Sequence, residues 1–164
     1  MPAEVSTNLS RFDGVRYGLN VEGENVADTY KKSRSAGFGA EARRRIILGT
    51  YVLSHGYYDA YYNKAWRVRH AIEKEFDNIF KEVDFVLTPT TPSPAFKIGE
   101  KMDDPVAMYL CDIFSAPANI AGICAIALPS GISSNDLPFS IQFMAPKFHE
   151  RELFKIGKKF EEIR

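Results

Sequence analysis

The chain has 164 residues, 45% hydrophobic and 26% charged, which is the make-up of one globular domain and excludes a disordered or low-complexity polypeptide. Twenty-one basic residues balance twenty-one acidic ones, so net charge recruits neither nucleic acid nor an anionic membrane surface. Two cysteines, Cys111 and Cys124, are too few for a disulfide scaffold, lack metal-site spacing, and sit in apolar runs where a thiol behaves as a small hydrophobe.

Pro2 suits the first turn of a helix, and Ala3 to Phe12 has helical composition until Asp13-Gly14 stops it. A polar, Gly-containing stretch runs to about Asn25. Asp28 is then placed to cap a helix over Thr29 to Ala36, ended by Gly37. Glu41 to Ser54 reads as a third helix, basic on one side and apolar at Ile46, Ile47, Tyr51 and Val52. After Gly56 comes the longest predicted helix, Tyr57 to Val83. In it Tyr61, Ala65, Val68, Ile72, Phe76, Ile79 and Val83 recur at spacings of three and four, which predicts one buried stripe.

Asp84 to Thr88 is a short apolar run shut off by prolines at 89, 92 and 94, which reads as a buried strand followed by a rigid loop. Val106 to Phe114 predicts a short helix and Asn119 to Gly122 a further turn of one. Ala125 to Leu128 and Phe139 to Met144 predict two strands joined through the turn-rich Ser130 to Pro138, and Glu150 to Ile163 an amphipathic closing helix. The fold class is therefore α/β, read as one segment over residues 1–164 with no internal boundary. Three strands make a narrow sheet for so much helix, and their apolar runs imply layers on both faces and further strands elsewhere.

Several short patterns carry no chemistry. Gly37-Phe38-Gly39-Ala40-Glu41-Ala42 has the letters of a dinucleotide fingerprint but lies between two predicted helices, so a plain helix-to-helix turn is the reading. His55, His70 and His149 are too scattered for a metal site. Ser130-Gly131-Ile132-Ser133-Ser134 lacks an adjacent base and reads as a hairpin loop, not a nucleophile. Tyr57-Tyr58 and Tyr61-Tyr62 match a base-stacking platform, yet at this spacing they read as aromatic packing at a core edge. Arg43-Arg44-Arg45 reads first as a solvated helix face. No basic region followed by an apolar run opens the chain, and the longest apolar stretch, Ile120 to Pro129, is too short to span a bilayer, so a cytoplasmic location without membrane contact is expected.

Longer blocks are more specific. They are Pro2-Ala3-Glu4-Val5-Ser6-Thr7-Asn8-Leu9-Ser10-Arg11-Phe12-Asp13-Gly14-Val15-Arg16-Tyr17-Gly18, Ser33-Arg34-Ser35-Ala36-Gly37-Phe38-Gly39, Arg44-Arg45-Ile46-Ile47-Leu48-Gly49-Thr50 and Gly56-Tyr57-Tyr58-Asp59-Ala60-Tyr61-Tyr62. Thr88-Pro89-Thr90 and Asp103-Asp104-Pro105 follow in the same order. Together they resemble the C-terminal part of the A subunits of glutamyl-tRNA(Gln)/aspartyl-tRNA(Asn) amidotransferases, a branch of the amidase signature family.

The resemblance implies the C-terminal part of the amidase-signature fold, with helices packed on a few strands of a mixed sheet completed by N-terminal sequence missing here. It implies a glutaminase whose Ser–cis-Ser–Lys triad is absent from this chain, so that no catalytic residue is assigned and the chain alone is expected to be inactive. A tyrosine that helps bind glutamine in the family is likewise expected ahead of Met1. In the family the A subunit releases ammonia from glutamine and passes it to a B subunit, which amidates misacylated tRNA with ATP and magnesium. The implied partners are therefore glutamine, the B and C subunits, misacylated tRNA and the missing part of the same polypeptide, with no cofactor or metal in this chain.

By resemblance, Arg45 holds the substrate α-carboxylate and Asp112, in Met108-Tyr109-Leu110-Cys111-Asp112, receives the α-ammonium. The chemistry fits, since a planar guanidinium pairs with a carboxylate through two parallel hydrogen bonds. Two departures from the family pattern stand out: Cys111 replaces a polar residue, usually asparagine, and Ile123-Cys124-Ala125 replaces a commoner Leu-Pro-Gly-like turn. Alternatives are another amidase-signature hydrolase, disfavoured because a pocket for apolar amides would strand two charges, and a non-catalytic assembly module. Exposed apolar faces and self-association are expected of the isolated chain.

Overall fold

The computed structural model describes residues 1–101 and 104–164; Asp103, quoted in the resemblance, lies outside them. The chain forms two compact units, Met1–Arg67 and Val68–Arg164. The boundary falls inside a helix, and each unit is built around its own contacts.

In the first unit, α1 (Pro2–Leu9) starts at a proline whose missing N–H costs nothing at a helix start. α2 (Val26–Gly37) is capped by Asn25, whose side chain accepts the Asp28 N–H at 3.0 Å. The cap is thus Asn25 and not Asp28, and the helix starts three residues earlier than predicted. Asp28 instead accepts the Glu24 N–H and an ion pair from Lys32 at 2.8 Å. α3 (Ala40–Leu53) packs on α1 at Gly49, where an added Cβ would lie 2.2 Å from the Pro2 carbonyl oxygen and 2.5 Å from Ser6 Cβ. No side chain fits there.

Residues between α1 and α2 are bolted by side chains, because a loop without sheet or helix partners must satisfy its backbone otherwise. Asp13, only 3% exposed, accepts the Val15 and Arg16 N–H groups at 2.9 Å each and the Arg16 Nε–H at 2.8 Å. Ser33, buried on α2, accepts the Val21 N–H at 2.8 Å. Arg34 donates to the carbonyls of Leu9 and Phe12, closing the end of α1 onto α2.

The predicted helix over Tyr57 to Val83 is two pieces. A π-helical turn, Tyr58–Asn63, precedes α4 (Lys64–Ile79), and the turn before it uses Gly56 at φ +86°, a conformation that side chains resist. No described residue of α4 is buried: Val68 is 52% exposed, and Ile72 and Phe76 are half-buried. The periodic stripe exists, but among the described residues nothing covers it fully. Periodicity reports a face that favours a partner, and burial requires the partner itself. The tyrosine pairs behave likewise. Tyr58 stacks on Tyr62 at 4.8 Å and Tyr51 meets Tyr57 at 4.3 Å, but the clusters sit at the surface rather than at a core edge.

The second unit is a three-stranded antiparallel sheet with order β1-β3-β2, formed by β1 (Val86–Pro89), β2 (Cys124–Ile132) and β3 (Pro138–Ala145). The registers Thr88↔Gln142 and Ala127↔Gln142 put Gln142 at the middle of the central strand, and a bulge lies between Pro129 and Gly131. The predicted hairpin loop is partly strand, and Ser133 ties its turn by accepting the Leu137 N–H. β1 alternates between half-buried and exposed and is not the buried strand its composition predicted.

α5 (Pro105–Leu110) is capped by Asp104, which accepts the Val106 and Ala107 N–H groups. α6 (Ala116–Ala121) ends on Gly122 in the left-handed region, φ +67°. α7 (Glu150–Ile163), at its predicted bounds, lies on the face of Ile126, Leu128 and Phe143. Gly157 lets it approach both aliphatic side chains, and Phe160 meets Phe143 edge-on at 6.0 Å. Side chains alternate along a strand, so Gln142 points to the opposite face. The described core is thin: Ala3, Ala118, Ala121, Leu128, Met144, Ala145 and Leu153 are its buried apolar residues.

Two outcomes follow for stability. Gly49→Ala should lower the urea-unfolding free energy by roughly 1–3 kcal/mol through overpacking, whereas Gly39→Ser, in open space at the α3 cap, should leave it unchanged or slightly higher. Asp13 is held well below the usual carboxylate range by the Arg16 and Val15 N–H groups and the Arg16 guanidinium. Its contribution is therefore complete above an unfolded value of about 3.9 and is lost as pH falls further toward the folded value. Asp13→Asn should be less stable than the parent at pH 7, and the gap should narrow below about pH 4 in acid titrations followed by circular dichroism.

Candidate functional site

Arg45 lies on the second turn of α3, in the first unit. Glu41, one turn earlier, accepts the Arg45 Nε–H at 2.7 Å through Oε1 and the Arg44 Nε–H at 2.8 Å through Oε2. Helical spacing of three and four places one carboxylate under both guanidinium groups. The two arginines, Arg44 first, lower the Glu41 pKa to about 2. Glu41 also sits at a helix N-terminus, where negative charge is favoured.

Glu41 takes the Arg45 Nε–H, and among the described residues the outer fork of Arg45, formed by its two Nη nitrogens, makes no hydrogen bond or ion pair. The Arg45 side chain is 36% exposed. Such a fork suits a carboxylate. The Glu41 carboxylate pairs with both Arg44 and Arg45 and offsets one of the three charges in Arg43-Arg44-Arg45, which weakens any reading of that run as a phosphate track. Sequence reasoning does not single out Glu41, although its spacing from Arg44 and Arg45 is the available signal.

Asp112 lies in the second unit, in the turn between α5 and α6. Its N–H donates to the Tyr109 carbonyl, and its own carbonyl accepts the N–H groups of Ser115 at 3.1 Å and Ala116 at 2.8 Å. The backbone is therefore pinned and the residue exposed, with no hydrogen bond or ion pair to its carboxylate among the described residues. Cys111 turns inward, donating to the Ala107 carbonyl and accepting from Lys101 Nζ at 3.1 Å. The Cys111 thiol is thus held between Ala107 and Lys101, while Asp112 is exposed. Arg45 and Asp112 belong to different units, and each is positioned by its own.

The other patterns resolve as turns and surfaces. Gly37 ends α2 and Ala40 starts α3, so the glycine pattern is a helix-to-helix turn. Among the described residues no group of three His, Cys, Asp or Glu is placed to hold a metal ion. His70 faces Glu73 at 3.7 Å and His149 Nδ1 lies 3.0 Å from the Lys147 carbonyl. Cys111 and Cys124 are both free thiols. Two surface hollows, one lined by Ala3, Thr7, Leu53 and Tyr62 and the other by Phe85, Lys155, Ile156 and Lys159, contain neither Arg45 nor Asp112. Among the described residues no helix is long and apolar enough to cross a membrane.

Comparison with known proteins places this geometry. The Amidase family model matches residues 1–154. The A subunit of glutamyl-tRNA(Gln) amidotransferase from Parvibaculum lavamentivorans is 55% identical over 161 residues, covering 98% of this chain and 33% of that protein. One of the corresponding A subunits of Clostridium acetobutylicum is 56% identical over 161 residues, with the same coverage. The crystal structure of the Thermotoga maritima A subunit matches with a TM-score of 0.58 and 40% identity, covering 92% of this chain and 31% of that one. The chain thus spans about a third of the length of the curated relatives it matches. With an α/β arrangement of helices on a three-stranded sheet and a family match along nearly all its length, this chain belongs to the amidase family and corresponds to the C-terminal part of these relatives.

Proposed function

We propose that this chain is the glutamine-recognition portion of the glutaminase subunit in a tRNA-dependent amidotransferase. The observation that carries the reading is 55% identity along 98% of the chain to the A subunit of a glutamyl-tRNA(Gln) amidotransferase. Arg45 supplies the fork for the α-carboxylate of glutamine, and Asp112 supplies the charge for its α-ammonium. Opposite charges at the two ends of an α-amino acid select a free amino acid over an apolar amide, because a ligand lacking them leaves both groups desolvated and unpaired. The exposure of Asp112, the partial exposure of Arg45 and the contact of Arg45 with Glu41 support these roles.

On this reading the Ser–cis-Ser–Lys triad lies in another part of the same polypeptide, and the periodic face of α4 and the edges of β1 and β2 pack against that part. The released ammonia passes to a B subunit that uses ATP and magnesium to convert misacylated Glu-tRNA(Gln) or Asp-tRNA(Asn) to Gln-tRNA(Gln) or Asn-tRNA(Asn). A C subunit completes the complex in the cytoplasm. What this chain's own residues do is bind and orient glutamine.

Ammonia release from glutamine tests the proposal. The chain alone should give none, and adding the upstream portion of an A subunit in trans should restore it; release by the chain alone would mean that it holds its own nucleophile. In the restored enzyme, Arg45→Lys should raise the glutamine KM about 10- to 100-fold, since an ammonium cannot make the paired contact. Asp112→Asn should act in the same direction. Glu41→Gln should raise KM only several-fold, and with Glu41 ionised down to about pH 2 the parent KM should show no titration attributable to it between pH 5 and 8.

A further inference from the structure

The buried amide of Gln142 lies on the face of the sheet opposite α7. Gln142 is 4% exposed and sits at the middle of the central strand, where a polar side chain persists only if its hydrogen bonds are made. Its Nε2 donates to Thr88 Oγ1 at 2.9 Å, across the β1–β3 pair, and to the Phe114 carbonyl at 2.6 Å. The first bond joins two strands that the ladder already joins. The second joins the sheet to the turn that carries Asp112.

Phe114 stands inside the loop that the Asp112 carbonyl closes by accepting from Ser115 and Ala116. Holding the Phe114 carbonyl therefore fixes where the Asp112 backbone stands relative to the sheet. The Asp112 carboxylate makes no hydrogen bond or ion pair among the described residues, so this turn sets its position. An apolar side chain at 142 would leave the Phe114 carbonyl without that donor and release the turn from the strand.

We infer that Gln142 is a positioning residue for Asp112, setting the carboxylate through the Phe114 carbonyl so that it meets the α-ammonium of bound glutamine. The inference rests on the glutamine-binding reading of Asp112. Gln142 touches no substrate; it acts on affinity through the turn.

The test is a double-mutant cycle on the assembled amidase, with glutamine-dependent ammonia release as the readout. Gln142→Met keeps length and removes the donors. It should raise the glutamine KM about tenfold with kcat within about twofold, the signature of lost binding rather than lost chemistry. In an Asp112→Asn background the same change should add less than about twofold, because both substitutions remove one contact. Hydrogen exchange at the Ser115 and Ala116 amides should quicken in Gln142→Met. Should that variant fail to assemble, Gln142→Asn, too short by one methylene to reach Phe114, enters the same cycle with the same expectation. An unchanged KM in Gln142→Met beside a raised KM in Asp112→Asn overturns the positioning role and leaves the reading of Asp112 standing. An equal rise in both backgrounds shows a general structural role and also overturns it. An unchanged KM in Asp112→Asn overturns the glutamine-binding reading and this inference together.

Discussion

The crossing of α1 over α3 is the constraint on which the first unit depends. At Gly49 the two helices approach so closely that a Cβ would lie 2.2 Å from a backbone oxygen, which cannot move without moving α1. That contact sets the placement of α3, and α3 carries Glu41, Arg44 and Arg45. The second unit uses the same device at lower severity. Gly157 opens the underside of α7 to Ile126 and Leu128, so the helix lies on the sheet without a side chain between them. In both units an absent side chain admits a close approach, and dispersion across that approach stabilises a core too small to rely on bulk burial.

Polar side chains hold what the thin core does not. The loop after α1 closes on the Asp13 carboxylate and the Ser33 hydroxyl, the start of α2 on Asn25, and the start of α5 on Asp104. Each is a short side chain answering backbone N–H groups that no helix or sheet partner takes. Glu41 answers guanidinium groups instead, which orients Arg45 as a by-product of helix geometry. Gln142 is a long polar side chain turned into the interior for the same purpose, and it links a strand to a turn remote in sequence.

Much of this organisation was legible from residue order. Glu150 to Ile163 matched its helix because its apolar residues find the sheet inside the same chain. The helix-to-helix turn at Gly37 to Ala40 and the hairpin between β2 and β3 were legible from glycine and serine placement. The long helix was not, because Tyr58–Asn63 winds as a π-turn and the apolar stripe beyond it is only partly covered among the described residues. Asn25 and Asp28 both suit a cap by side chain, and the extended backbone of Asn25 at the junction makes it the one that caps α2.

By itself the sequence determined the class of the fold, its helix and strand order and, through long ordered blocks, its family, because these depend on local propensity and on residue identity. It also named Arg45 and Asp112, though only through resemblance, since composition and spacing give a helix-face arginine and a turn aspartate no distinct mark. The Glu41–Arg45 pair and the Asp112 turn follow from local helix and turn geometry, whereas tertiary structure alone decided that Gln142 reaches that turn from the sheet. The physical reason is distance along the chain. Gln142 and Phe114 are 28 residues apart, and no local pattern encodes a hydrogen bond that exists only after strand, turn and helix have been brought together.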